Sequence, residues 1–265
     1  MSPRPLVELT AHRLEAERWQ RRTETLAEET AVAMVYNGHS HVVMMATPAD
    51  LDDFAFGFAL TEGIVAQVGE VEMVDRLETG HGVSLQMLIP QARFEALNGR
   101  ERQSSGRTGC GLCGTATLEA AIRPVRPVDE APILSPEALF DALRRLQTHQ
   151  PFNERSGAVH AAALIDDEGA LRVREDVGRH NAIDKVAGAL LRAGRHPQAL
   201  LVTSRASYEV VHKAAQIGCP MVVAISAPTA LAVRLAEQAG VVLAGFARDS
   251  RMTVYAGASR FRGPG

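Results

Sequence analysis

The sequence predicts an α/β protein with a small N-terminal α/β unit and a larger C-terminal unit built on a parallel sheet. Two apolar runs flank Asn37-Gly38, the dipeptide most typical of a tight β-hairpin turn. From residue 199 onward, strand-like and helical runs alternate strictly, which implies parallel strands joined by right-handed helical crossovers. With 46% hydrophobic residues among 265, the chain is long enough to bury the cores of both units.

The N-terminal half begins with a polar segment. Residues 1–25 are rich in arginine and show no convincing periodicity, so we expect a partly ordered arm. Residues 26–97 should form the small unit, in which residues 71–90 have the alternation of strands. A short buried helix should follow the hairpin and end at Gly63, with large apolar residues on its buried side at Leu51, Phe54, Phe58 and Leu60.

Residues 98–130 separate the two units. They begin with NGRERQSSGRTGCGLCG, which is rich in Gly, Ser and Arg and almost lacks apolar anchors, so we expect a mobile loop and linker. Residues 131–265 should form the larger unit, opening with a helix that has Ser135 as its N-cap and Pro136 at its first position. A hairpin and the alternating helices and strands follow, and the run MTVYA closes the sheet.

Composition excludes several classes of protein. A net charge of −3, with both signs mixed along the chain, gives no electrostatic footprint for nucleic-acid binding. The N-terminus has no apolar stretch of signal-peptide length, and no later run approaches the roughly 20 apolar residues of a membrane span. The three cysteines, an odd number, argue against a disulfide framework. We therefore expect a cytoplasmic protein with reduced thiols.

Cys110 and Cys113 form a CxxC pair in a loop that favours reactive thiols. The following segment, TATLEAAI, is predicted to be helical, and its positive end, together with Arg102 and Arg107, favours the thiolate that attacks a sulfur donor. The spacing alone leaves open a redox disulfide, half of a zinc site or an incidental pair. The third cysteine, Cys219, approaches an apolar strand and fits a buried structural thiol.

Three loops follow the predicted parallel strands, at residues 203–207, 226–229 and 246–251. In a sheet of this kind they emerge together at the carboxyl edge, where ligands bind. Their hydroxyls and arginines suit phosphate groups, and the Asp249 carboxylate suits a guanine amine. The hydroxyls of Ser207 and Thr229 fit helix caps equally well.

A polar segment at residues 173–181 marks a further loop-to-helix junction. Asp176, Arg179 and His180 could line a pocket, although charged loop residues are usually just solvated. Asn181 and Asp184 are predicted to cap the helix.

His160 lies in an apolar strand, where a core histidine is the usual interpretation. Zinc deaminases have a histidine followed two residues later by a catalytic glutamate and then by a CxxC pair. Here Ala162 stands in place of the glutamate and the CxxC pair precedes the histidine, which disfavours deaminase chemistry.

Seven segments in order resemble the formate dehydrogenase accessory protein family, FdhD/NarQ, over about residues 29 to 256: EETAVAMVYNG, VVMMATPADLDDFAFGFALTEGI, RTGCGLCG, GAVHAAAL, REDVGRHNAIDKV, TSRASYEVVHKAA and GFARDSRMTVYA. The resemblance implies a sulfurtransferase. Such a protein takes sulfur from a cysteine desulfurase and passes it to the molybdenum bis(molybdopterin guanine dinucleotide) cofactor that formate dehydrogenase needs.

The resemblance also assigns residues and a fold. Cys110 corresponds to the persulfide-carrying cysteine and Cys113 to its partner. The cofactor-binding segment corresponds to Phe246, Ala247, Arg248, Asp249, Ser250 and Arg251. The family implies a homodimer and a three-layer α/β/α, cytidine-deaminase-like C-terminal domain without zinc chemistry.

Two alternative functions stay open. The first is a non-catalytic scaffold that binds the cofactor and docks it into the apo-enzyme. The second is a zinc hydrolase with His160 and the cysteines as ligands.

Overall fold

The structure is a computed structural model that describes residues 3–102, 125, 127–129 and 134–261. The elements of the N-terminal half are β1 (Leu6–Glu15), β2 (Arg18–Ala27), β3 (Thr30–Tyr36), β4 (His39–Ala46), α1 (Leu51–Thr61), β5 (Glu72–Thr79), β6 (Gly82–Leu88) and α2 (Gln91–Arg102). A 3₁₀ turn at Val68–Glu70 precedes β5.

The C-terminal half opens with two helices, α3 (Pro136–Thr148) and α4 (Pro151–Ser156). Its remaining elements are β7 (His160–Asp166), β8 (Leu171–Asp176), α5 (Arg179–Arg192), β9 (Pro197–Val202), α6 (Tyr208–Gln216), β10 (Met221–Ala224), α7 (Ala230–Ala239), β11 (Val242–Arg248) and β12 (Arg251–Ala256). A 3₁₀ turn at Ala258–Arg260 follows.

The N-terminal unit is a four-stranded sheet in the order β4-β3-β6-β5, in which only β3 and β6 are parallel neighbours. The predicted hairpin is confirmed: Asn37 and Gly38 both have positive φ, 49° and 81°, as a type I′ turn requires. The Asn37 side chain also exchanges two hydrogen bonds with the backbone of Ile89, which fixes the turn against the end of β6. The predicted buried helix is α1, and Gly63 follows it with φ 63°.

The first residues form a regular β-ribbon, so the prediction of a partly ordered arm is wrong for them. β1 and β2 pair antiparallel from Leu6 with Ala27 to Glu15 with Arg18. The ribbon buries almost none of its side chains; Leu9, Leu14 and Trp19 are all more than half exposed. Since neither face is buried, no hydrophobic alternation marks these strands, and backbone hydrogen bonds define them instead.

The C-terminal unit has the predicted three layers. Its sheet has the order β12-β11-β10-β9-β7-β8; β9, β10 and β11 are parallel, and β7 and β12 run antiparallel to their neighbours. Helix α3 packs on one face through Leu139, Leu143 and Leu146. Helices α5, α6 and α7 cover the other face and share their core with the N-terminal unit. Ser135 caps α3 as predicted, its side chain accepting a hydrogen bond from the Ala138 N–H.

Helices α1 and α5 touch backbone to backbone where two glycines meet. A Cβ atom on Gly57 would lie 1.6 Å from the carbonyl oxygen of Asp184, and one on Gly188 would lie 1.9 Å from that of Asp53. Both distances are far below any van der Waals contact. The crossing therefore requires glycine on both helices.

Buried ion pairs lie on either side of this crossing. Lys185 and Asp176 are both fully buried, with Nζ 2.6 Å from Oδ2. Lys185 also donates to the Thr47 carbonyl at 2.8 Å, and Asp176 accepts from the Thr47 N–H at 3.0 Å, so this pair bonds to the N-terminal unit. Unpaired, either charge would carry a desolvation cost of several kcal/mol, on the order of 3–5 kcal/mol.

The second buried pair joins Lys213 of α6 to Asp184 and to Glu62, each at 2.7 Å. Burial by itself lowers the pKa of Lys213, but the charges of Asp184 and Glu62 and their hydrogen bonds outweigh it and raise the pKa. The ammonium group therefore stays charged. Thr61 of α1 donates to Asp184 as well, which places this network between the two units.

Two predicted helix caps are wrong. The residue that precedes α5 is Gly178, and Asn181 lies in the first turn, donating instead to the Met45 carbonyl and to Asp176. Asp184 is buried in the network with Lys213. Both side chains bond to other elements instead, because polar groups buried at this interface need hydrogen-bond partners.

Among the described residues, no helix is both long and apolar enough to cross a membrane.

We predict that Gly57→Ala lowers the free energy of unfolding by about 3 kcal/mol or more, because the added methyl group forces α1 and α5 apart. The matched control is Gly99→Ala in α2, where nothing lies within 4 Å of the new methyl group and the change should stabilise by roughly 0.5–1 kcal/mol. Urea denaturation followed by far-ultraviolet circular dichroism measures both. Equal stability of the two variants would contradict the helix crossing.

Candidate functional site

The three loops after the parallel strands lie side by side at the carboxyl edge of the sheet, as the sequence predicts. The Ala206 N–H donates to Ala227, and the Thr229 N–H donates back to Ala206, at 3.2 and 3.0 Å. The Phe246 N–H donates to the Ser226 carbonyl at 3.1 Å. These backbone bonds hold the three loops as one surface.

Residues 246–251 form the hairpin between β11 and β12, and they do not all face the same way. A cavity of about 370 Å³ is lined by Phe246, Arg248, Arg251, Met252 and Thr253. Three of the six predicted cofactor-binding residues therefore line one cavity.

The other three predicted residues occupy different positions in the hairpin. Ala247 is 1% exposed and packs in the core beneath the sheet, so its side chain faces away from the cavity. Asp249 and Ser250 are the exposed turn residues between the two strands. Asp249 has a φ of 56°, a conformation that aspartate tolerates better than most residues.

Phe246 is an exposed aromatic residue in an unfavourable backbone conformation. Its φ is 51° and its side chain is 45% exposed, within an interruption of the β11–β12 pairing. Bulky residues rarely adopt positive φ, and such strain concentrates at functional sites. The conformation places the ring at the cavity beside two arginines, where it can stack on a planar group while they bind anions.

The hydroxyls of the other two loops divide between capping and other contacts. Thr229 caps α7, accepting a hydrogen bond from the Ala232 N–H at 3.3 Å. Ser207 precedes α6 without capping it and instead donates to Glu209 at 3.3 Å. The capping interpretation therefore holds for Thr229 and fails for Ser207.

A second group of ionisable side chains lies further along the same edge. His160 starts β7 and pairs in register with Asp176, the last residue of β8. Arg179 and His180 begin α5 next to them, and Glu209 of α6 approaches His180 to 3.0 Å. The sequence places Asp176, Arg179 and His180 here, but it gives no signal for Glu209, which lies near a helix start where an acidic residue is ordinary.

Of the three cysteines, the structure describes Cys219 only. Cys110, Cys113 and Arg107 lie outside the described residues, as does the side chain of Arg102. Cys219 is a free, buried thiol, as predicted, and burial raises its pKa to about 12. It donates to the Met221 carbonyl at 3.2 Å. Cys219 is thus unsuited to act as a nucleophile near neutral pH.

Within residues 3–102, 125, 127–129 and 134–261, no three His, Cys, Asp or Glu side chains are grouped so that they could hold a metal ion. The zinc alternative would use Cys110 and Cys113, which are not among these residues.

The structure thus combines a four-stranded N-terminal sheet unit with a three-layer α/β/α unit that has an arginine-lined hairpin at its sheet edge. The chain belongs to the FdhD/NarQ family, whose model matches residues 27–262.

Two named relatives are similar over most of their length. The sulfur carrier protein FdhD of Cupriavidus necator is 49% identical over 253 residues, which cover 92% of this chain and 88% of that protein. The sulfur carrier protein FdhD of Xanthomonas euvesicatoria pv. vesicatoria is 50% identical over 237 residues, covering 88% and 84%.

The fold also matches a solved structure. It is the crystal structure of a candidate formate dehydrogenase accessory protein from Desulfotalea psychrophila, with a TM-score of 0.75 over 97% of this chain and 99% of that one. At 23% sequence identity, this likeness supports the fold.

We predict that Phe246→Gly leaves the free energy of unfolding unchanged or raises it slightly, since it removes an exposed ring and relieves a positive φ. Phe54→Ala, at a ring with no exposed surface, is the contrast and should cost about 3–5 kcal/mol. Urea titrations measure both variants. A loss of several kcal/mol in Phe246→Gly would mean that the ring serves packing instead of a ligand.

Proposed function

We propose that the chain is a sulfur carrier for formate dehydrogenase. It accepts sulfur from a cysteine desulfurase as a persulfide on Cys110 and passes it to the molybdenum bis(molybdopterin guanine dinucleotide) cofactor, which it binds as cargo. The observation that carries the proposal is the near full-length similarity, at 49–50% identity, to relatives named sulfur carrier proteins. We place this activity in the cytoplasm, in a homodimer.

The loading step is a thiol exchange. The Cys110 thiolate attacks the terminal sulfur of the donor's persulfide; a new S–S bond forms on Cys110, the donor's S–S bond breaks, and the donor leaves as a thiolate. This chemistry needs a thiol with an ordinary or lowered pKa. The buried Cys219, with its pKa of about 12, does not meet that condition, which leaves the CxxC pair to carry the sulfur.

Delivery as sulfide takes two electrons, and Cys113 can supply them. Its thiolate attacks the inner sulfur of the Cys110 persulfide, so that hydrosulfide leaves toward the cofactor and a Cys110–Cys113 disulfide remains. A cellular thiol then reduces this disulfide and resets the carrier. In this scheme Cys113 assists the transfer and does not carry the sulfur itself.

The arginine-lined hairpin suits the nucleotide part of the cargo. The chain has a net charge of −3, so an anionic ligand needs local cations, and Arg248 and Arg251 supply two at one cavity. A charge-assisted hydrogen bond contributes about 1.5–3 kcal/mol, so two such contacts would dominate the affinity. The exposed Phe246 ring beside them offers a stacking surface for a guanine or pterin ring.

We predict that Cys110→Ala abolishes persulfide formation. Incubation of the protein with a cysteine desulfurase and cysteine should add the mass of one sulfur atom to the wild type and none to the variant, measured by intact-protein mass spectrometry. Cys219→Ala is the matched control and should load normally, because Cys219 is buried and protonated.

An undiminished sulfur adduct in Cys110→Ala would overturn this assignment. In cells, a Cys110→Ala/Cys113→Ala variant that still supports active formate dehydrogenase would favour the alternative of a cofactor-binding scaffold.

We also predict that Arg248→Ala/Arg251→Ala weakens the binding of guanosine diphosphate by about a hundredfold, while Cys110 still loads sulfur. Isothermal titration calorimetry measures the affinity. Arg144→Ala is the control for loss of a surface arginine, because this residue of α3 pairs only with Asp141 among the described residues and should leave binding unchanged. Unchanged affinity in the double variant would place the nucleotide elsewhere.

A further inference from the structure

Four ionisable side chains from three elements meet at the carboxyl edge of the sheet, apart from the 246–251 hairpin. Glu209 Oε2 lies 3.0 Å from His180 Nε2 and 3.9 Å from an Arg179 amino nitrogen. The contact with His180 is close without the alignment of a hydrogen bond, which leaves the buried Nε2 atom unsatisfied. Arg179 and His180 both lie near the half-buried ring of His160 and influence its charge.

Asp176 holds the backbone that carries Arg179 and His180 in place. The buried Asp176 carboxylate accepts hydrogen bonds from the Gly178 N–H at 2.8 Å and from the Asn181 amide at 2.9 Å. These bonds set the turn into α5 and so place Arg179 and His180 at the edge. Because Asp176 is paired with Lys185, that carboxylate balances the charges above it only in part.

The group holds more basic than acidic side chains. The first turn of α5 contains Arg179 and His180 and no acidic residue, the reverse of the usual preference at the positive end of a helix. Glu209 supplies one negative charge. Burial raises the pKa of Glu209, but the close contact and charge of His180, then Arg179 and Ser207, outweigh this and lower it, so Glu209 stays ionised. The group thus sets one carboxylate against one guanidinium and two imidazole rings.

His160 faces the basic side chains of Arg179 and His180. Burial first, and then the charges of Arg179 and His180, lower the pKa of the His160 ring below its ordinary value, while Asp176 opposes the shift weakly. The ring is therefore neutral near neutral pH. An anion placed among these groups would offset the positive charge that lowers the pKa of His160 and would favour the protonated ring.

We propose that His160, Arg179, His180 and Glu209 form a subsite for a phosphate-sized anion, and that His160 takes up a proton when the anion binds. Arg179 and the two imidazole rings provide the donors, and Glu209 contacts both Arg179 and His180 from α6. The inference deepens the proposed function: the anion is either free or the end group of the same cargo whose nucleotide binds at the hairpin.

The sheet sets the distance between the two subsites. β7 and β11 are separated by β9 and β10, and at roughly 4.8 Å between neighbouring strands they lie about 14 Å apart. That distance is too long for one phosphate group to contact both. A dinucleotide-sized ligand can reach from one subsite to the other along the edge.

Linkage fixes the direction of the pH dependence. Protonation of His160 favours the anion, so affinity is highest below the pKa of the free ring and falls as pH rises through the higher pKa of the ring in the complex. The decline approaches about tenfold for each pH unit between those two values. The groups that act on the ring are Arg179, His180 and Asp176.

The test uses the full-length chain with inorganic phosphate and, separately, guanosine diphosphate, in calorimetric titrations between pH 5.5 and 8, a range of about one unit or more around the ordinary histidine pKa. We expect Arg179→Ala to weaken phosphate binding by about tenfold or more. His160→Gln should remove the part of the pH dependence that does not come from the ionisation of phosphate itself, which also lies in this range. Arg144→Ala is the matched control and should change neither.

Nuclear magnetic resonance gives an independent readout. The His160 ring signal, identified by its loss in His160→Gln, should titrate at a higher pH in the presence of phosphate than in its absence. Arg248→Ala/Arg251→Ala, which removes the cations of the hairpin, should keep this shift because the hairpin is a separate subsite. If Arg179→Ala also weakens guanosine diphosphate, the subsite takes the end group of a nucleotide; if it weakens phosphate alone, the subsite takes a free anion.

Phosphate binding that is absent at millimolar concentration, or unchanged in Arg179→Ala and His160→Gln, would overturn the inference. The sulfur-carrier proposal is tested separately. Persulfide loading that persists without Cys110 would contradict it, and that measurement does not depend on any of these four residues.

Discussion

The contact between Gly57 and Gly188 is the constraint on which most of the described architecture depends. Only because α1 and α5 touch through their backbones can Thr47 reach Lys185 and Asp176, and Thr61 reach Asp184. Those polar groups then need one another, because a buried charge without its partner is strongly destabilising. The same helix, α5, brings Arg179 and His180 to the edge of the sheet. The helix crossing therefore fixes both the interface between the two units and the position of these two residues at the sheet edge.

Features determined by neighbouring residues could be predicted from the sequence. The Asn37-Gly38 turn, the Ser135 cap and the helix that starts at Leu51 each depend on a few consecutive side chains, and the structure has all three. Asn181 and Asp184 were misassigned as caps for the same reason. One partner of each, Met45 for Asn181 and Thr61 for Asp184, lies more than a hundred positions away, where local rules carry no information.

The candidate site was predictable in location but not in detail. The strict alternation of strands and helices places three loops at one edge, since topology alone decides where parallel strands end. It does not show that Ala247 faces the core while Phe246 faces the cavity, because the interruption of the β11–β12 pairing changes which side chains face outward. Glu209 was missed because its role depends on α5, a different helix.

The β1–β2 ribbon has a practical consequence for spectroscopy. Trp19 is the only tryptophan in the chain, it lies near the tip of the ribbon, and it is 69% exposed. Its indole is already hydrated in the folded protein, so unfolding of the two cores changes its surroundings little. Its fluorescence instead reports on whatever covers the ribbon tip, which makes the natural sequence a built-in sensor of association at that end of the molecule.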